Sequence, residues 1–365
     1  INNFSHRIKL GGYAVGIQMV SELSALINLL FDIPLVDINA KWASLKYMFF
    51  GLYIVSSYGC FLFFRYGLKL SILPSFLGGL GYFFGNAALL SFMGNMFAVN
   101  IFTFLVFPWV LLFIKLSHSL NRVSIACLAG LVASFAEYTQ SAHPMLSLIY
   151  FFFCNLYNIY LAFVRLLKEC FELKNFKHFF KYITVFPFFH LLGLAYRLIP
   201  LFSGIWSKEL AIYDVTYGNK DLGLWWTGAW KHFSTFFFRF EDTTLMGTEF
   251  FPANGSANIA FYTGQFSGFC IFAFFCGLLF HAYQRYLKNT SVYVENLRLQ
   301  DSLFFVVVFM ILASGLPLGN NGSWIHDLMV STGYMRLHNI LRIQIYYYFF
   351  ALAIAMYGFN FILQL

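Results

Sequence analysis

The chain has 365 residues, 60% of them hydrophobic types and only 10% charged, with a formal net charge of +8. Soluble globular domains carry about a quarter charged residues, so this composition excludes a water-soluble enzyme or carrier. The surplus of cations is of the kind that membrane proteins place on cytoplasmic loops, and no basic stripe of soluble character points to nucleic acid.

A membrane-spanning chain must pair its backbone amides internally, as helices or as a closed barrel, and a barrel reads as short alternating segments. The runs here are unbroken instead: Phe50 to Phe64 and Phe97 to Leu116 show no period of two. The expected fold class is therefore an all-α integral membrane protein, a single transmembrane domain over 1–365. The aromatic share of 22% fits A+T-rich codons as well as a physical demand and points to no function.

In chain order, residues 1–44 form a polar-apolar opening segment that carries Glu22, Asp32 and Asp37. Nine apolar runs follow, at 45–64, 72–91, 97–117, 123–141, 144–166, 182–202, 259–283, 302–316 and 343–363. The fourth and eighth are short or polar at one end. Nine alternating crossings put Arg65, Lys69, Lys115, Arg122, Arg165, Lys168, Lys174, Lys177, Lys181, Arg285, Lys288 and Arg298 on one side, which the positive-inside rule makes cytoplasmic. The other side receives 1–44, 203–258 and 317–342 with most of the acids. Because the first segment then lies outside and the chain starts at Ile1, one or more spans are expected to precede residue 1.

The segment 203–258 is too polar to cross and holds Trp225, Trp226 and Trp230. It suits an interfacial anchor first, with a stacking platform for a carbohydrate or lipid as the sharper alternative. The six cysteines form no CxxC pair, so neither a disulfide framework nor a zinc site is expected. No P-loop, GxGxxG, HExxH or GxSxG pattern is present, which removes the usual signatures of ATP hydrolysis, dinucleotide redox chemistry, zinc proteolysis and serine hydrolysis. Few histidines lie deep in the runs, chiefly His190, so a haem subunit is unsupported.

Three polar groups at the outer edge are candidates, because polar residues at membrane depth are costly. Glu137, Gln140 and His143 stand in EYTQSAHP, with Pro144 opening the next helix; a hydrogen-bonded helix-end turn explains them as well as a site does. Arg336, His338 and Arg342, in GYMRLHNILR, offer donors suited to a phosphate; snorkelling at a helix start is the alternative. Glu241, Asp242 and Glu249 suit a divalent cation, a general base or a solvated loop.

The order of these features resembles the YfhO-type bacterial membrane proteins, polytopic enzymes of the GT-C glycosyltransferase class. The likeness is carried by RIKLGGYAVGIQMVSELSALINLLFDIP at 7–34, SFLGGLGYFFGNAALLSF at 75–92 with the later PWVLLFIKL, QSAHP at 140–144, and FYTGQFSGFCIF with GYMRLHNILRIQIYYYFFALAIAMYG. It departs from the family pattern at Ala25, Ala142 and Met145, and Arg342 matches only with shifted spacing.

The resemblance implies a GT-C-like helix bundle in a bacterial cytoplasmic membrane. The implied enzyme moves a sugar from a polyprenyl-phosphate donor to an extracytoplasmic cell-envelope acceptor. A catalytic acid is expected in the first outer loop, before residue 1, with Glu22 or Asp32 as substitutes; Arg336, His338, Arg342 and His143 would hold the donor phosphate. No metal site is assigned, although a divalent cation is compatible. A non-catalytic GT-C-like subunit of a larger membrane assembly, or a transporter of a lipid-linked substrate, would share these features.

Overall fold

Long apolar runs without alternation satisfy their amides within themselves, and every run the structure describes is a helix. The computed structural model describes residues 38–84, 102–139, 144–168, 173–206, 265–287, 299–313 and 344–364, among which there is no strand. The helices are α1 Ile38–Leu62, α2 Ile72–Phe84, α3 Phe102–Leu120, α4 Val123–Thr139, α5 Pro144–Lys168, α6 Leu173–Trp206, α7 Gln265–Leu287, α8 Leu299–Ala313 and α9 Gln344–Ile362. Each overlaps one of the apolar runs. Three are long and apolar enough to cross a membrane, through Thr103–Leu120 of α3, Tyr150–Leu167 of α5 and Phe176–Ala195 of α6. The described residues are all-α, with helices suited to a bilayer.

Two helices start well before the apolar runs they overlap. α1 starts at Ile38, inside the segment assigned to the outside, and α6 starts at Leu173, well before the apolar run. Hydropathy marks where hydrocarbon begins, whereas helix continues as long as residues favour it, and Lys and Arg are good helix formers. The basic cluster read as a loop therefore lies largely on helix: Arg165 and Lys168 end α5, and Lys174, Lys177 and Lys181 fall in α6.

The described helices fall into two compact units. One contains α1 as far as Gly59 with α3 to α6; the other runs from Cys60 through α2 and adds α7, α8 and α9.

In the first unit α3 and α5 run in one direction and α4 and α6 in the other. Ser56 meets Leu105 and Gly59 meets Trp109, Phe107 meets Tyr150 and His118 meets Asn158, while Asn158 meets Tyr182 and Phe151 meets His190. α4 packs on α6 through small residues, which let two backbones approach closely where apolar burial alone gives no preference between helix and lipid. A Cβ on Gly193 would collide with Ser134 Oγ, and one on Gly130 would stand 2.7 Å from the Phe186 carbonyl oxygen. Pro108 inside α3 withholds an amide from the turn before it. Beside that gap the Ser56 hydroxyl donates to the Leu105 carbonyl at 2.6 Å, and Trp109 Nε1 donates to the Val55 carbonyl at 3.0 Å.

In the second unit the chain leaves α1 through a π-helical turn, Phe63–Gly67, closed by Leu68 N–H to the Phe63 carbonyl at 2.9 Å. The wider turn sets Phe63 and Phe64 side by side in an aromatic core with Phe305 and Phe349, and Tyr82 meets Phe349 edge-on at 87°. α9 is the centre of this unit, buried at every position from Tyr348 to Gly358 and packed against α2, α7 and α8. Against α2 it runs antiparallel: Asn360 Oδ1 accepts from Ser71 N–H at 2.9 Å, and the Tyr348 hydroxyl donates to the Gly81 carbonyl at 2.6 Å.

Candidate functional site

Most side chains singled out from the sequence lie outside the described residues: Glu22, Asp32, Gln140, His143, Trp225, Trp226, Trp230, Glu241, Asp242, Glu249, Arg336, His338 and Arg342. Glu137 falls in the last turns of α4, and Pro144 is the first residue of α5, as a proline at a helix start should be. Of these candidate side chains only Glu137 falls on a described element.

The polar cluster that the structure does assemble is at the other, basic end of the first unit, where α3 stops. Asn121 there takes a left-handed conformation with φ 53°, and Arg122 N–H bonds back to the Ser117 carbonyl at 3.1 Å. This is the Schellman way of ending a helix, with Asn in the position that glycine usually fills. The same Ser117 carbonyl accepts a second bond from the Tyr182 hydroxyl at 3.0 Å, and the His118 carbonyl accepts from the Arg165 guanidinium at 3.2 Å. Two of the carbonyls that a helix end leaves over are thus served by α5 and α6, and the guanidinium sits at the negative end of the α3 dipole.

Below this cap His118 is buried at 7% exposure, and its Nε2 lies 2.8 Å from Asn158 Oδ1. Asn158, wholly buried, points its Nδ2 at the Tyr182 carbonyl at 2.9 Å. A carbonyl only accepts, so the amide orientation is fixed; Oδ1 then accepts, and His118 must carry its proton on Nε2. His118 Nδ1 has no partner among the described residues. The Tyr182 ring packs against two imidazoles, with centroids 4.5 Å from His118 and 4.3 Å from His178, and the two imidazoles lie 6.2 Å from each other.

The cluster holds three helices together and shows cations at its rim, with Arg122, Lys177 and Lys181 exposed. Among the described residues no three His, Cys, Asp or Glu gather as a metal site would require. Cys60, Cys127, Cys154, Cys270 and Cys276 form no disulfide. The sequence reading passed over His118, Asn158 and Tyr182. The signal that could have found them is Asn158 itself, an amide in the middle of FFFCNLYNIYLAF, where an unsatisfied polar group is expensive.

Comparison of the chain with protein-family models, with curated proteins and with solved structures returns no match.

Proposed function

We propose that this protein is a membrane glycosyltransferase of the GT-C kind, moving a sugar from a polyprenyl-phosphate donor to an acceptor on the outer face of a bacterial cytoplasmic membrane. The observation that carries the reading is the pair Arg336 and Arg342, with His338 between them, in a segment that alternation puts opposite the basic loops. Arginines there run against the positive-inside bias. Support for that frame comes from the first unit, where α3 and α5 end, and α4 and α6 begin, at one basic end.

The chemistry asks little of a nucleotide site. A base takes the proton of the acceptor hydroxyl, whose oxygen forms the new bond to the sugar C1 as the C1 bond to the donor phosphate breaks. The polyprenyl phosphate leaves with its negative charge. Arg336, His338, Arg342 and His143 would hold that charge, Glu137 and Gln140 would orient them, and Glu22 or Asp32 would serve as base. Trp225, Trp226 and Trp230 would receive the acceptor.

The test is complementation of a deletion strain with Arg336→Ala, followed by mass spectrometry of envelope glycans. Loss of a sugar that the wild-type gene restores, at equal protein level in the membrane, is the expected result. Unchanged glycans would refute the assignment of Arg336 to the donor.

A further inference from the structure

The outer face of α6 is divided along its length. Residues 177, 180, 181, 184, 188 and 192 share one helical stripe, about 120° wide at 100° per residue, and all are exposed. The stripe begins with Lys177 and Lys181, one turn apart, and continues only with Phe180 at 58% exposure, Phe188 at 60% and Leu192 at 56%, apart from Thr184. Thr184 turns its hydroxyl back onto its own helix, to the Phe180 carbonyl at 2.7 Å, so it leaves no donor facing outward. From Lys177 to Leu192 the helix rises about 22 Å at 1.5 Å per residue, the length of an extended acyl chain. The opposite face, with Tyr182, Phe186 and His190, is buried. The surrounding segment, 165–181, has five cations against two acids.

We propose that this stripe binds an anionic phospholipid, its phosphate held by Lys177 and Lys181 and one acyl chain lying along Phe180, Phe188 and Leu192. Charge complementarity selects the headgroup, since each lysine near a membrane surface favours an anionic lipid severalfold. The helix is held in place for this by the lock beneath it: Tyr182 and Asn158 tie the start of α6 to α3 and α5, so the lysines sit on a fixed backbone.

The experiment is native mass spectrometry of the full chain, released from micelles containing equal amounts of phosphatidylglycerol and phosphatidylcholine with matched acyl chains. Wild type should retain phosphatidylglycerol over phosphatidylcholine by roughly tenfold, and the double variant Lys177→Gln, Lys181→Gln should fall to near parity. Lys177→Arg with Lys181→Arg should keep the preference. So should Lys69→Gln, which removes an exposed charge from the second unit.

A double glutamine variant that still prefers phosphatidylglycerol overturns the proposal, and so does an equal loss in Lys69→Gln, which would mark nonspecific attraction. Should the glutamine pair fail to fold, wild type alone decides. Its preference must weaken as salt rises from about 0.1 M to about 1 M; an unchanged ratio, or displacement of the lipid by inorganic phosphate, overturns the lipid assignment.

Discussion

At the scale of single residues, the lock between α3, α5 and α6 makes an ordered prediction. Asn158→Leu removes the acceptor of His118 Nε2–H at a wholly buried position, and a buried unsatisfied donor costs about 1–3 kcal/mol. Tyr182→Phe loses a hydroxyl whose acceptor, the Ser117 carbonyl, still has the Arg122 amide, so the loss should be only about 0.5–1.5 kcal/mol. Unfolding in mixed micelles should rank the two in that order; an equal or larger loss in Tyr182→Phe would mean the amide does not bridge the helices. Lys69 supplies a prediction of opposite sign. It holds φ 56°, a conformation costing an L-residue about 1–2 kcal/mol that glycine adopts freely. Lys69→Gly should raise the midpoint, and a lowered one would show that the lysine side chain does more than cover the turn. Neither feature was legible beforehand. A histidine and an asparagine forty residues apart become partners only when two helices lie alongside, and hydropathy says nothing of which helices those are.

At the scale of elements, glycine positions divide by what faces them. Nothing lies within 4 Å of a Cβ placed on Gly51, so Gly51→Ala should stabilise α1 by up to about 1 kcal/mol through helix propensity. A Cβ on Gly81 meets a Leu352 methyl at 3.0 Å, which a leucine can relieve by turning, so a small loss is expected there. A Cβ on Gly358 would strike the Cys270 carbonyl, which is backbone and cannot turn aside, so α7 and α9 would have to separate. Melting curves should place Gly51→Ala at or above wild type, Gly81→Ala slightly below, and Gly358→Ala far below; a benign Gly358→Ala would argue against the α7–α9 contact itself. The positions of the helices were legible, because unbroken apolar runs permit little else. Their ends were not, since the basic turns of α5 and α6 are polar by hydropathy and helical by propensity. The outer candidates were legible only as residue types, and whether Arg336, His338, Arg342 and His143 converge is a matter of tertiary placement that no spacing in the sequence encodes.

At the scale of the molecule, helix direction and charge make one joint claim that can be tested without knowing a substrate. In the first unit the ends of α3 and α5 and the starts of α4 and α6 come together, with Arg122, Arg165, Lys177 and Lys181 at that end. Moving any one of these charges to the outer surface opposes the bias that sets topology, and all four oppose the inverted orientation together. Arg122→Cys and Lys177→Cys, each introduced after replacing Cys127, Cys170 and Cys276 by Ser, should therefore react with an impermeant maleimide only in opened vesicles that expose the cytoplasmic face. His143→Cys, on the far side of α4 and α5 by the same alternation, should react in intact cells. Labelling of all three from one side would break the alternation on which the outer placement of Arg336 and Arg342 rests, and the glycosyltransferase proposal would lose its frame. Labelling of Arg122→Cys outside and His143→Cys inside would invert it, moving those arginines to the cytoplasmic face, where the positive-inside bias alone accounts for them.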